Sequence, residues 1–137
     1  MRGGSSETGR TGEKLAARYL RKRGYRILAR NYRTKSGEID IIARDGAEVC
    51  FVEVKTRTSR QFGGGDEFID RHKTRQIVKV ADEFVMRYKL EDVSQRFDCV
   101  FVLLKKRARG GLSGLLRRPE AQIELVRDAF TVDDLFG

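Results

Sequence analysis

The sequence predicts an α/β domain in which helices flank a mixed sheet of about five strands. Two long segments carry apolar residues at three- and four-residue steps, the period of an amphipathic helix. Five shorter segments either alternate between apolar and polar residues or are almost continuously apolar, as strands are. Their order is helix, three strands, helix, two strands, which indicates an α/β arrangement, and 137 residues suit a single domain.

The first helix is expected at residues 12–23. Thr11 is a suitable N-cap residue, and Gly24 follows the last turn, where glycine commonly ends a helix. Residues 1–10 begin with a positive charge but have no apolar stretch after it, so they predict a flexible tail rather than a secretory signal. We therefore expect one domain over residues 11–137.

Three strands are expected after this helix. Residues 25–32 alternate well enough for the first strand, and a polar link over residues 31–36 leads to the second strand at residues 38–44. The third strand is expected at residues 48–56. Asp45-Gly46, between the second and third strands, favours a tight turn and therefore predicts a hairpin.

The second helix is expected at residues 71–89, after a glycine-rich and mobile loop at residues 61–66. Asp70 is a suitable N-cap residue for it. The almost continuous apolar run at residues 97–104 then predicts a central strand. Apolar residues at helical spacing mark one buried stripe of the second helix: Ile77, Val80, Ala81, Phe84, Val85 and Tyr88.

The C-terminal part of the chain combines a basic loop with a last strand. The loop is expected over residues 105–119, is rich in glycine, and ends at Pro119. Residues 121–126 predict an edge strand, followed by a short tail around Phe130.

The chain is strongly basic, with a net charge of +9 and a sequence pI near 9.9. Between Thr8 and Lys35 there are ten Lys or Arg residues and one acid, Glu13. Such a field attracts polyanions, and the phosphate backbone of nucleic acid is the most common one. The alternatives are a solvated basic surface or binding to an anionic membrane face. A second basic cluster has no acid: Lys105, Lys106, Arg107, Arg109, Arg117 and Arg118.

The cysteines and the apolar segments limit the class of protein. Cys50 and Cys99 lie in apolar runs, which is typical of small buried side chains in a reducing compartment. One histidine and two distant cysteines do not predict a zinc site. No run of about 18 apolar residues is present to span a bilayer. We expect a cytoplasmic protein that does not bind membranes.

Charged residues on the predicted hairpin share one face of the sheet. Because side chains alternate along a strand, Glu38 and Asp40 lie on one face of the second strand, and Glu53 and Lys55 lie on one face of the third. A two-residue loop at Asp45-Gly46 places Glu38 across from Glu53, whereas a loop two residues longer places Asp40 directly across from Glu53. Either register brings Asp40, Glu53 and Lys55 together. The opposite faces are apolar: Ile39, Ile41 and Ala43, and Cys50, Val52 and Val54.

Neighbouring carboxylates repel each other, and a divalent cation removes that cost. Mg²⁺ or Mn²⁺ favours carboxylate oxygens and keeps water ligands for hydrolysis of a phosphodiester. Lys55 would stabilise the charge that grows on the phosphoryl group. Glu53-Val54-Lys55 is the only acid-x-Lys triplet in the sequence. The alternative is a Glu–Lys pair that is satisfied within the sheet.

Glu13 is a further candidate metal ligand. At 100° per residue it lies at the edge of the inward face of the first helix, which also contains Leu15, Ala16 and Leu20. A carboxylate on this side could reach the charged face of the sheet. The alternative is that Glu13 only interacts with the dipole of the first helical turn.

Several motifs resemble those of the YraN-like family of predicted endonucleases. The resemblance covers about residues 10–104 and weakens after them. The motifs are Gly12-Glu13, Gly37-Glu38-Ile39-Asp40-Ile41-Ile42-Ala43, Phe51-Val52-Glu53-Val54-Lys55-Thr56-Arg57, Asp70-Arg71-His72-Lys73 and Arg96-Phe97-Asp98.

That family is similar to archaeal Holliday-junction resolvases and to the restriction-endonuclease-like superfamily, so the resemblance implies an α-β-β-β-α-β core. It implies that Glu13, Asp40 and Glu53 bind a metal and that Lys55 is the catalytic lysine. Two further site residues, Glu38 and Lys73, follow from the same motifs. The glycine run at residues 63–65 and the basic loop depart from the family pattern. These departures concern the expected docking of the substrate and not the expected fold.

The expected activity is therefore that of an endonuclease dependent on Mg²⁺ or Mn²⁺, acting on DNA and in particular on branched or single-stranded DNA. The alternatives are a nucleic-acid-binding protein of the same fold with weak or no catalysis, and an adaptor for an acidic protein. The residues expected to contact nucleic acid are Arg57, Lys105, Lys106, Arg107 and Arg109.

Three leucines near the basic loop have two interpretations. Leu112, Leu115 and Leu116 either cover the sheet of their own chain or form the contact of a weak homodimer. A twofold dimer would present two equivalent sites to a branched DNA substrate.

Overall fold

The computed structural model describes residues 7–58, 70–105 and 120–132. Within them it confirms the predicted α/β fold, with a single five-stranded sheet in the order β1-β2-β3-β4-β5. Strands β3 and β4 are parallel, and the other three neighbouring pairs are antiparallel. The elements are α1 (Glu7–Lys22), β1 (Arg26–Thr34), β2 (Gly37–Asp45), β3 (Glu48–Thr58), α2 (Arg71–Arg87), β4 (Gln95–Lys105) and β5 (Glu120–Phe130).

The two helices pack on opposite faces of the sheet. Helix α1 buries Ala16 and Leu20 against Ile41 and Val52, whereas α2 buries Val80 in a separate cluster on the other face. Because α2 also lies between the parallel strands β3 and β4 in the chain, it forms the crossover that parallel pairing requires. The α2 cluster includes four aromatic side chains, Phe51, Phe84, Phe97 and Phe130.

Helix α1 begins at Glu7, and the prediction of a start at Gly12 with Thr11 as N-cap was wrong. Its first four residues belong to the segment that the sequence assigns to a tail. An acid in the first turn interacts favourably with the helix dipole, which supports the earlier start. Thr11 and Gly12 have low helix propensity, so local sequence suggested a boundary where tertiary packing continues the helix.

The ends of the strands also differ from the prediction. Strand β1 runs to Thr34, so residues 32–34 of the expected polar link at residues 31–36 are paired with β2. Strand β5 continues past residue 126 to Phe130, which is buried and stacks on Phe97 with ring centroids 4.8 Å apart. This long-range aromatic contact keeps the end of the chain on the sheet, and the expected tail is part of the strand.

The hairpin between β2 and β3 has a two-residue loop at Gly46-Ala47, one residue later than predicted. Asp45 pairs with Glu48, and the left-handed φ of +60° at Gly46 suits the first central position of a type II′ turn. This register aligns Asp40 with Glu53, as in the second predicted alternative, but the loop is shifted by one residue and is not two residues longer.

One side chain breaks the predicted alternation of β2. Ile39 packs in the α2 cluster, whereas Ile41 and Ala43 pack in the α1 cluster. The change coincides with Asn31 on the neighbouring strand β1, whose φ of +52° interrupts regular strand geometry.

Within the described ranges, neither helix is long and apolar enough to cross a membrane.

Cys50 and Cys99 are free and buried, as predicted, and burial raises the pKa of each thiol to about 12.

A buried ion network holds together the end of the sheet where the hairpin lies. Nε and Nη2 of Arg96 donate to the two carboxylate oxygens of Asp98 at 2.9 and 3.0 Å. The same guanidinium donates to Glu48 at 2.6 Å, Asp45 at 3.0 Å and the hydroxyl of Tyr25 at 2.8 Å. The network therefore ties β4 to the hairpin and to the chain that leaves α1.

Replacing Arg96 with methionine should lower the free energy of unfolding by about 3–5 kcal/mol, because it leaves the fully buried Asp98 carboxylate without its ion partner. Chemical denaturation followed by circular dichroism measures the change. Arg127→Ala is the matched control, since Arg127 also contacts Asp45 but is 57% exposed, and it should cost no more than about 1 kcal/mol. Equal losses in the two variants would contradict the assigned role of the network.

Candidate active site

The predicted charged residues meet where the β2–β3 ladder ends. The last paired residues are Ile41 and Val52. One residue beyond them, Oδ2 of Asp40 accepts a hydrogen bond of 2.8 Å from the amide of Val54. A side chain thus replaces the next backbone pairing and fixes the Asp40 carboxylate against β3, beside Glu53.

Two lysines surround the Glu53 carboxylate. Oε2 of Glu53 lies 2.9 Å from Nζ of Lys73 and 3.5 Å from Nζ of Lys55. The side chain of Glu53 is 6% exposed, that of Lys55 is 11% exposed and that of Lys73 is 49% exposed. Two ammonium groups thus face one carboxylate, but neither contact with the buried Oε2 has the angles of a regular hydrogen bond within the described residues.

The start of α2 positions Lys73. As predicted, Asp70 is the N-cap: its Oδ1 accepts from the amides of His72 at 3.1 Å and of Lys73 at 3.2 Å. The side chain of Thr74 then donates to the carbonyl of Asp70 at 2.7 Å. This cap fixes the first turn, so the Lys73 side chain begins from a defined backbone position above Glu53.

Helix α1 brings Glu13 to the same end of the sheet. Gly12 packs so closely against Thr56 of β3 that any Cβ at position 12 would overlap the threonine side chain. Glycine therefore permits the close approach of the helix. Glu13 is 9% exposed; its charge acts to raise the pKa of Asp40, and the charge of Lys73 acts to lower the pKa of Glu13.

Glu38 lies apart from Glu53. Its Oε2 is 3.3 Å from Nε of Arg33 on the neighbouring strand. When the Asn31 amide is oriented to donate, it lies 3.2 Å from Glu38 and 3.0 Å from Glu13. Glu38 thus belongs to an outer group around Glu13. Asn31 was missed in the sequence, although asparagine is one of the few residues that readily adopt its left-handed backbone.

The electrostatics of the group favour a positive charge between Asp40 and Glu53. Burial, and to a smaller extent the charges of Glu13 and Glu53, raise the pKa of Asp40 to about 7 despite its bond to Val54. Burial, followed by the charge of Glu38, also raises the pKa of Glu13. Burial acts to lower the pKa of Lys73, but Glu53 outweighs it and raises that pKa. A cation here would relieve both the repulsion and the desolvation.

Within the described residues, no group of three or more His, Cys, Asp or Glu side chains is arranged to hold a metal ion. Glu13, Asp40 and Glu53 therefore do not form a closed set of three ligands. Asp40 and Glu53 do fit a magnesium-type ion, which is commonly held by one or two carboxylates together with substrate phosphate and water. Oε2 of Glu53 lies 2.9 Å from the Lys73 ammonium, so a metal ion at this oxygen would have to displace that half-exposed side chain.

Two of the predicted nucleic-acid contacts can be placed. Arg57 follows Lys55 on β3, donates to the carbonyl of Thr56 at 2.9 Å and lines a cavity beside Lys55. Lys105 is exposed at the end of β4, across from Glu120. The other predictions for these regions lie outside the described residues: Lys106, Arg107, Arg109, Leu112, Leu115, Leu116, Pro119, residues 61–66 and the start of the chain up to residue 6.

Residues 12–102 match the family described as Uncharacterised protein family UPF0102. The chain belongs to this family. A UPF0102 protein of Caldicellulosiruptor saccharolyticus is 41% identical over 124 residues, which cover 90% of this chain and 97% of the relative. A UPF0102 protein of Syntrophus aciditrophicus is 43% identical over 124 residues, with 90% and 87% covered. Another, from Caldanaerobacter subterraneus, is 47% identical over 96 residues, with 70% and 79% covered. The matched segment contains the whole carboxylate and lysine group.

Gly12→Ala should destabilise the protein by about 1–3 kcal/mol, because the new Cβ overlaps Thr56 and the helix must move away from β3. The sign of the change in the free energy of unfolding is informative, since helix propensity alone would favour alanine by about 1 kcal/mol. Denaturant unfolding measures the effect. Adding Thr56→Gly should cost less than the sum of the two single changes, and strict additivity would contradict the close contact.

Proposed function

We propose that the protein is a divalent-metal-dependent endonuclease that hydrolyses phosphodiester bonds in DNA. The observation that carries the proposal is the Glu53 carboxylate, which is buried beside Asp40 and has an oxygen without a well-oriented donor. A carboxylate pair of this kind is costly to bury unless a cation or a catalytic role compensates for it. The family resemblance assigns the same residues to a nuclease centre.

Asp40 and Glu53 would hold the metal, with Glu13 as the neighbouring acid on α1. Bound there, Mg²⁺ or Mn²⁺ would supply activation of water and stabilisation of charge on the phosphoryl oxygens. The chain's own contribution is to hold the two carboxylates in place. The amide of Val54 fixes Asp40, and the β-sheet fixes Glu53.

Lys55 is suited to act on the phosphate. It is largely buried, its ammonium is held 3.5 Å from Glu53, and it extends from the same strand face. A phosphodiester against the carboxylates would meet this ammonium, which would stabilise the negative charge that develops during hydrolysis. Lys73 is half exposed, so its side chain can move from Glu53 towards a phosphate without unfolding the helix.

The charge of the molecule supports a polyanionic partner. Beyond the net charge of +9, the outward face of α1 carries exposed cations at Lys14, Arg18, Arg21 and Lys22. The first turn of α2 lies near the site, since its Lys73 contacts Glu53, and the positive end of a helix dipole favours phosphate. Such a surface would bind nucleic acid mainly through its backbone.

One observation favours a second function. Glu53 lies within ion-pair distance of both Lys73 and Lys55, so the three side chains could form a structural ion group that needs no metal. In that case the protein would be a nucleic-acid-binding protein of the same fold with weak or absent catalysis. Cleavage assays separate the two functions.

Asp40→Asn and Glu53→Gln should each lower metal-dependent cleavage by at least about 100-fold, since even groups that only support metal ligands are worth 10–100-fold. The assay compares single-stranded, duplex, flap and four-way DNA with Mg²⁺ and with Mn²⁺. DNA affinity in EDTA should not fall, because neither substitution removes a cation. Calorimetry should show divalent binding to the wild type that both variants lose.

Asp82→Asn, at an exposed acid of α2, is the matched control and should leave cleavage and metal binding unchanged. Full activity in the Asp40→Asn, Glu53→Gln double variant would exclude this site. Absence of cleavage by the wild type on all four DNA forms, together with unchanged DNA binding, would establish the binding protein instead.

Replacing Lys105, Lys106, Arg107 and Arg109 together with alanine should weaken DNA binding at low salt and flatten its dependence on salt. If each cation contacts a phosphate, the slope of log K against log salt should change by about 3 to 4. A control removes four exposed cations elsewhere: Arg23, Arg44, Arg87 and Lys89. Equal changes in both variants would indicate a general charge effect and no specific contact by the basic loop.

A further inference from the structure

The ammonium of Lys73 lies against a carboxylate that would hold the proposed metal. Its Nζ is 2.9 Å from Oε2 of Glu53, and the Glu53 side chain is 6% exposed. A divalent cation held by Asp40 and Glu53 would lie close to this ammonium, and the repulsion between like charges is strong where water is excluded. Lys73 and the metal therefore compete for the Glu53 carboxylate.

The two lysines that contact Glu53 differ in their freedom to leave it. Lys55 extends from β3, which is paired with β4 along this segment, and its side chain is 11% exposed. Lys73 extends from the first turn of α2, and its side chain is 49% exposed. Rotation about its side-chain bonds carries the Lys73 ammonium into solvent, while the Asp70 cap keeps its backbone in place. Lys73 is therefore the cation that a ligand can displace.

The contact between Lys73 and Glu53 is weak enough for such a displacement. Oε2 of Glu53 receives no hydrogen bond of regular geometry from the part of the chain that the structure describes, so the lysine contributes mainly the attraction of its charge. Ion pairs that reach solvent contribute little to stability, because water screens the attraction and fixing a long side chain costs entropy. A metal ion at the carboxylate can therefore replace the ammonium.

A DNA phosphate would be the new partner of the released ammonium. Lysine binds phosphate as a point charge on a flexible stem, so it needs no fixed orientation. Because Lys73 lies in the first turn of α2 and reaches Glu53, its ammonium stays beside any phosphodiester that approaches the carboxylates. One movement would then serve both ligands, since leaving Glu53 makes room for the metal and adds a cation for the DNA.

We propose that Lys73 couples metal binding to DNA binding, and we name this side chain the Lys73 switch. In one position its ammonium pairs with Glu53, and in the other it binds a DNA phosphate while the divalent ion takes the carboxylate. Because coupling between two ligands is reciprocal, DNA raises the affinity for the metal by the factor by which the metal raises the affinity for DNA. This inference rests on the proposed nuclease function and adds its regulation: the metal binds preferentially when DNA is present.

The direct test compares this coupling in the wild type and in Lys73→Met. DNA affinity is measured by fluorescence anisotropy in EDTA and in Mn²⁺, on a short single strand with phosphorothioate linkages, which keep the charge of each linkage and resist hydrolysis. Mn²⁺ should raise the DNA affinity of both proteins, since the strand also binds the ion directly. The increase should be at least about 5-fold larger in the wild type, the lower end of typical coupling between sites. Equal increases would overturn the switch, because Lys73 would then not move between the two ligands.

Calorimetry with Mn²⁺ alone tests the competition for Glu53. Lys73→Met removes the competing ammonium and should bind Mn²⁺ at least about 5-fold more tightly than the wild type. Arg71→Met is the matched control for a change of overall charge, since Arg71 is an exposed cation of the same helical turn, and it should leave the Mn²⁺ affinity nearly unchanged. An unchanged or lower Mn²⁺ affinity in Lys73→Met would overturn the switch and show that the lysine only supports the fold.

A double-mutant cycle in EDTA tests the release of Lys73 without any metal. Glu53→Gln breaks the ion pair and should raise DNA affinity, and Lys73→Met should lower DNA affinity more in the Glu53→Gln background than in the wild type. Glu13→Gln removes a neighbouring acid and leaves the Lys73–Glu53 pair intact, so its effect should add to that of Lys73→Met. Additive effects of Glu53→Gln and Lys73→Met would overturn the switch. Circular dichroism checks that each variant is folded.

The two proposals fail in different ways. Absence of Mn²⁺ binding to the wild type, both with and without DNA, would overturn the nuclease and the switch together. Metal binding and cleavage by the wild type, with equal coupling in Lys73→Met, would overturn only the switch.

Discussion

The end of the β2–β3 ladder is the feature on which the rest of the site depends. Beyond Ile41 and Val52 the backbones no longer pair, and the Asp40 carboxylate takes the amide of Val54 in place of a carbonyl. A buried carboxylate is thereby fixed beside Glu53. The N-terminal halves of both helices approach this position, one through a close glycine contact and the other through its N-cap. The point at which β2 and β3 stop pairing therefore determines where the charged side chains meet.

The two ends of the sheet use buried charge in different ways. Around Arg96, each nitrogen of the guanidinium has an acceptor, so the network stabilises the hairpin end. Around Glu53, two ammonium groups lie within ion-pair distance, but one oxygen has no well-oriented donor, and burial raises the pKa of Asp40. A satisfied network favours one rigid structure, whereas an unsatisfied group is retained when a ligand or a reaction requires it. This difference supports the proposal that the second end is the functional one.

The sequence by itself determined the order of elements, the Asp70 cap and the common face of Glu53 and Lys55, because periodicity and capping depend on neighbouring residues. It left open the register of the hairpin and misplaced its turn by one residue. It also could not show that Lys73 contacts Glu53, that helix α1 continues through Gly12, or that a cavity opens across β3, β4 and β5. Tertiary structure decided these, since each depends on contacts between residues distant in the chain, whose packing outweighs local preference.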